Sequence, residues 1–184
     1  MSLKLNIINK LHKGDKVKIL IAYSSRTGNT EKIASSMKEG MSDHDVALQK
    51  VKETDPAVLK NYDIVFLGSG IYAGKVDRSI VDLVKKTEEY PPKFVLFCTH
   101  ASVDAYQNGF KMVKKKIAGS TILGEWDCRG ENLGMPKEAQ EKMIANIPPE
   151  KQEQARKFNE ALKGRPNAED LESAKEYAKS IIDQ

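Results

Sequence analysis

Cysteine is scarce in this chain: Cys98 and Cys128 are the only two among 184 residues, and they form no CxxC pair. Each sits within or at the end of an apolar, strand-like run, so reduced, buried thiols are expected and a disulfide is not. The three histidines, His12, His44 and His100, stand far apart, which argues against a structural zinc site. Long apolar runs are missing too, since none approaches the roughly 20 residues that cross a bilayer. The opening MSLKLNIINKLHKGDKVK has lysines throughout and lacks the apolar core, about 7–15 residues long, of a secretory leader. The expectation is a cytoplasmic protein with no membrane span. Charge of one sign is absent as well, because 30 Lys and Arg against 26 Asp and Glu leave a formal +4. That surplus is spread out apart from Lys111, Lys114, Lys115 and Lys116, with no basic stripe carrying interleaved aromatics. Nucleic-acid binding is therefore not expected, whereas an acidic protein partner would suit the charge.

What the chain does have is alternation. VKILIAY (Val17–Tyr23), YDIVFLGS (Tyr62–Ser69) and KFVLFCTH (Lys93–His100) are apolar on both faces, as central strands of a parallel sheet are. DVALQKV (Asp45–Val51) alternates like an edge strand, and STILGEW (Ser120–Trp126) reads as a fifth. Helical periods fall between them: Ile33, Ala34, Met37 and Met41; then Ile80, Leu83 and Val84; then Phe110, Val113 and Ile117. In the last segment Asn167 is placed as an N-cap with Asp170 three residues on, ahead of the stripe Leu171, Ala174, Ala178 and Ile181. Five strand–helix units predict one doubly wound α/β domain over 17–184. Residues 1–16 form an N-terminal extension that suits either an added strand or a short amphipathic helix. Residues 134–166 form an insertion before the last helix, read as two helices broken at IPPE.

The densest punctuation lies in YSSRTGNTEKIA (Tyr23–Ala34), where the first strand gives way to the first helix. In an open α/β sheet that junction opens on the ligand crevice at the carboxyl ends of the strands. The first-turn N–H groups are unsatisfied there, and the helix dipole favours an anion. Ser25, Thr27 and Thr30 add hydroxyls, and Gly28 lets the backbone close around a compact phosphate monoester. The P-loop spelling G-x-x-x-x-G-K-[ST] and the dinucleotide spelling G-x-G-x-x-G are both absent.

The hexapeptide Ser25-Arg26-Thr27-Gly28-Asn29-Thr30, placed after a first apolar strand, resembles the FMN phosphate loop of the flavodoxin family. The resemblance covers about Val17 to Trp126, and the last helix more loosely. It implies a flavodoxin-like five-stranded parallel sheet of order 2-1-3-4-5 and noncovalently bound FMN. GSGIYAGKV (Gly68–Val76) is similar to the third-strand loop of flavodoxin-like FMN oxidoreductases. On that resemblance Ser69, Gly70, Ile71, Tyr72, Ala73 and Gly74 join the cofactor-binding set. Ile71 and Tyr72 would cover one ring face, and Gly70 or Gly74 would let the backbone approach flavin N5. The fourth-strand loop THASVDAYQNG contributes Thr99, His100, Ala101 and Ser102 along the pyrimidine edge and Tyr106 as a second stacking face. Trp126 is assigned to core packing against the last helix, and His100 as proton donor is the alternative to an edge role.

Two functions follow from the resemblance. One is an electron carrier that passes low-potential electrons between redox partner proteins. The other is an FMN oxidoreductase acting directly on a quinone, a porphyrinogen or a similar organic molecule. The net basic charge departs from the usual acidity of flavodoxins and turns the expected partners toward acidic surfaces. A receiver domain is excluded, because the third strand ends in Gly68 and Ser69, with Asp63 at its start.

Overall fold

The computed structural model describes residues 16–102, 104 and 106–183, so the expected extension lies, save Lys16, outside the described residues. Chain order is β1 (Lys18–Ser24), α1 (Asn29–Gly40), β2 (Asp45–Lys50), β3 (Ile64–Tyr72), β4 (Lys75–Val76), α2 (Arg78–Lys86) and β5 (Lys93–His100). There follow α3 (Lys111–Lys116), β6 (Thr121–Arg129), α4 (Lys137–Ala145), α5 (Pro149–Ala161) and α6 (Ala168–Ile182). Five strands pair in parallel in the order β2-β1-β3-β5-β6, and the short β4 folds back antiparallel on β3. Apart from that hairpin arm, this is the expected 2-1-3-4-5.

The apolar strands are buried on both faces because each face carries a helical layer. Ile19 and Ile21 of β1, Phe66 of β3 and Phe97 of β5 meet α1 and α6. Their neighbours Leu20, Val65, Leu67 and Leu96 meet α2 and α3. The two-residue period of a strand thus feeds both layers, which is why these segments read as unbroken apolar runs. Cys98 belongs to the second layer and Cys128 to the first, so the sheet itself separates the two thiols. Burial pushes the Cys98 thiol up to about 12, the state of an inert, protonated sulfur. Trp126 packs against the layer that holds α6, as the sequence suggested.

Two strands run further than expected. β3 continues through Tyr72, and its hairpin turns at Ala73 and Gly74, whose φ angles of 48° and 75° are those of a two-residue turn matched to sheet twist. The glycines and serine of GSGIY carry little strand propensity, which hides this extension. β6 runs on to Arg129, past a register irregularity opposite Phe94 and Val95.

α6 starts with a complete capping box. Asn167 Oδ1 accepts from the Asp170 N–H at 3.0 Å, and Asp170 Oδ2 accepts from the Asn167 N–H at 2.9 Å. Arg165 Nε adds a bond to Asp170 Oδ2 at 3.0 Å. Burial alone would raise the Asp170 carboxyl; Arg165 and the Asn167 N–H outweigh it and hold the group below the usual carboxylate range. Because the folded value is depressed, the stabilisation is complete above the unfolded value near 4 and is lost as pH falls through the folded one. Asp170→Asn is expected to lose about 1–3 kcal/mol in urea unfolding at pH 7. The gap to wild type should narrow below pH ~4, and a gap independent of pH would refute the ionic origin.

Candidate functional site

The loop after β1 is built around an uncapped helix. Gly28 is the N-cap of α1, held at φ 91°, and no side chain among the described residues bonds to the first-turn N–H groups of Asn29, Thr30 and Glu31. The first intrahelical bond comes from Lys32 N–H to the Gly28 carbonyl, at 3.0 Å. Ser25 Oγ accepts from the Gly28 N–H at 3.1 Å, which folds the loop and leaves the serine proton free to donate. The carboxylate of Glu31 is drawn aside: Tyr23 Oη donates to it at 2.6 Å, and Lys50 Nζ stands 3.6 Å away. Burial and that hydrogen bond raise the Tyr23 phenol well above its ordinary value, so it remains a donor. An anion here meets backbone donors and the helix dipole with no carboxylate aimed at it.

The Thr30 hydroxyl is buried and shares a 2.9 Å hydrogen bond with the hydroxyl of Thr99, at the end of β5. Two hydroxyls sharing one bond leave one proton over, so the pair offers a single donor. Asn29, 7% exposed, gives its Nδ2 to the Glu131 carbonyl at 2.9 Å. Its Oδ1 is buried with no partner among the described residues. A buried acceptor left without a partner is costly.

The β3–β4 hairpin leans on this loop. Arg26 N–H donates to Tyr72 Oη at 3.1 Å, and the Arg26 guanidinium lies 3.9 Å above the Tyr72 ring. The same guanidinium pairs with Asp77 Oδ2 at 2.8 Å. Burial would raise the Asp77 carboxyl, but Ser79 and then Arg26 hold it below the usual range. Tyr72 therefore covers Gly70: a Cβ there would stand 2.5 Å from its hydroxyl. Ser69 is fully buried, donating to the Gly70 carbonyl and accepting from the Asp77 N–H. Ile71 points into the second layer, where a Cβ on Gly109 would stand 2.6 Å from Cδ1 of Ile71. Ala73 and Gly74 form the turn itself.

At the end of β5, His100 is buried. Its Nδ1 lies 2.6 Å from the Ser102 carbonyl and its Nε2 2.9 Å from Asp127 Oδ2, with Tyr106 stacked on the ring at 3.9 Å. One face of Tyr106 is thus occupied by His100. Ala101 and Ser102 are half-buried beside them. Arg129 lies 5.1 Å over the Phe158 ring of α5.

Adjacent strands bring the three loops together: β1 and β3 pair at Ser24 and Ser69, β3 and β5 at Gly70 and Thr99. Three contributors escaped the sequence reading. Asp77 anchors Arg26, and its Asp-x-Ser spelling before α2 is a cap signal that could have found it. Asp127 holds His100 across strands and carries no local signal. Segment 130–134 closes over the β1–α1 loop: a Cβ on Gly130 would stand 2.6 Å from Asn29 Nδ2, and one on Gly134 would stand 3.7 Å from Thr27 Cγ2.

A family model described as a flavodoxin domain matches residues 20–179. This chain belongs to the flavodoxin-domain family. Among its relatives, an uncharacterized protein of Methanocaldococcus jannaschii is 31% identical over 170 residues, 90% of this chain and 99% of the relative. Oxidised flavodoxin 2 of Bacillus cereus superposes with TM-score 0.62 at 21% identity, over 90% of this chain and 98% of that one. A Lactobacillus acidophilus flavoprotein solved in complex with FMN superposes with TM-score 0.52 at 18% identity, over 61% and 93%. The fold is flavodoxin-like. Among the described residues, no helix is long and apolar enough to cross a membrane, and no cluster of His, Cys, Asp and Glu is poised to hold a metal.

Proposed function

We propose that this flavodoxin-family chain binds FMN noncovalently and carries electrons between redox partner proteins. The observation that carries the reading is the α1 N-terminus: open first-turn N–H groups over a left-handed Gly28, with the Ser25 hydroxyl bonded to the Gly28 N–H. The donor set fits a phosphate monoester. Ser25, Thr27 and the α1 amides would hold the phosphate, and the 69–74 and 99–106 segments would wall the ring. Bound there, FMN supplies reversible one- and two-electron transfer.

Tyr72 occupies the Arg26 N–H, a donor that a phosphate would otherwise take. Tyr72→Phe is expected to raise FMN affinity about threefold, read by quenching of flavin fluorescence. Weaker binding would mean that the phenol itself serves as a ligand.

A second reading, direct action on an organic substrate, is favoured by one feature. α4 and α5 enclose an apolar groove of about 450 Å³, floored by Met135, Ile144 and Phe158, that begins at the segment closing over the phosphate loop. An anaerobic reductive titration of the FMN-loaded protein separates the two. Two resolved one-electron steps support the carrier. A single two-electron step with rapid reoxidation by a quinone supports the enzyme.

A further inference from the structure

α2 and α3 lie side by side on one face of the sheet, packed through Ile80, Leu83 and Val84 of α2, Val113 of α3 and Ile117 just after it. Their outer surface concentrates the charge of the chain. Residues 75–86 and 106–117 carry eight Lys and Arg against two Asp, a local surplus larger than the +4 of the whole chain. Few of these charges are neutralised: Arg78 pairs with Asp82 at 3.5 Å, and Lys114 pairs with Glu125 at 2.6 Å. Lys85, Lys86, Lys111, Lys115 and Lys116 are exposed and form no ion pair among the described residues. Met112 stands among the α3 lysines, 55% exposed. An apolar, deformable anchor inside a charged surround is the composition of a protein-binding face.

The face also has a position. α2 follows directly on the β3–β4 hairpin, which leans on the β1–α1 loop, and α3 begins a few residues beyond Tyr106, which stacks on His100. Neither helix contains an aromatic residue to stack on a base, so the chemistry favours a protein over a nucleic acid.

We propose that the outer face of α2 and α3 docks an acidic protein, centred on Met112 and steered by Lys85, Lys86, Lys111, Lys115 and Lys116. That this partner exchanges electrons rests on the carrier reading above; the docking itself does not.

The test is a chemical-shift titration of the FMN-loaded, isotope-labelled protein with oxidised rubredoxin, a small acidic electron-transfer protein. Shifts are expected on residues 75–86 and 106–117. The apparent Kd is expected to rise at least about tenfold in K111E/K115E/K116E at low salt, with that gap closing as salt screens the charges. M112S should weaken binding about threefold with its charge unchanged. Shifts mapping elsewhere, a Kd unchanged by charge reversal, or saturable binding of a short RNA duplex tighter than that of rubredoxin would overturn the proposal. Failure of the flavin reading is seen separately, as a protein that takes up no FMN while its shift map on this face is unaltered.

Discussion

Replacing Gly28 with aspartate is expected to lower FMN affinity by at least about a hundredfold while leaving the chain folded. The space is available, since an ideal Cβ on Gly28 meets no heavy atom within 4 Å. The backbone at φ 91° strains any residue with a side chain, Asp and Asn less than most, and that strain is shared by the control below. What changes is charge. A carboxylate at the N-cap satisfies the open N–H groups of α1 and stands beside any phosphate they would hold. Two like charges about 5 Å apart repel by roughly 3 kcal/mol at an effective dielectric near 20. Gly28→Asn is the control, having the same backbone strain without the charge, and its loss should be several-fold smaller. Equal losses for the two variants would assign the effect to strain and remove the electrostatic argument.

The second large effect lies in the core below the site. Gly68 of β3 faces Phe97 of β5, and a Cβ there would stand 2.0 Å from Phe97 Cζ and within 2.5 Å of two further ring carbons. Both residues are buried in the sheet centre, so neither backbone has room to retreat. Gly68→Ala is expected to cost about 3 kcal/mol or more in denaturant unfolding, at the upper end of overpacking penalties. Phe97→Leu alone should cost about 1–2 kcal/mol for its lost contacts, yet added to Gly68→Ala it should recover part of the loss. Strict additivity of the two substitutions would show that the ring is not what excludes the Cβ. Position 68 thus couples the packing of the first layer to the start of the Ser69–Tyr72 stretch that lines the site.

Legibility in the sequence follows the range of the interactions. Strands buried on both faces betray themselves by continuous apolar runs, and α6 by the Asn167–Asp170 cap, because those signals are local. The β1–α1 junction was legible for the same reason: its hydroxyls, its glycine and the start of α1 are neighbours in the chain. The partners of the site residues were not. Thr30 meets Thr99 across 69 positions, and Arg26 meets Tyr72 across 46. The His100–Asp127 contact depends on a register set by the irregularity opposite Phe94 and Val95. The Gly70-Ile71-Tyr72 stretch reads as loop by composition, and it becomes strand because β5 pairs with Gly70 and β4 with Ile71 and Tyr72. Tertiary pairing there overrides weak local propensity.

The central claim is that the β1–α1 loop binds the terminal phosphate of FMN. It is tested most directly by titrating the protein with FMN and with riboflavin, which differ only in that phosphate, and following flavin fluorescence. The account predicts FMN binding at least about a thousandfold tighter than riboflavin, the share of a dianion held by several charge-assisted hydrogen bonds. Equal affinities for the two, or binding of neither, would contradict it.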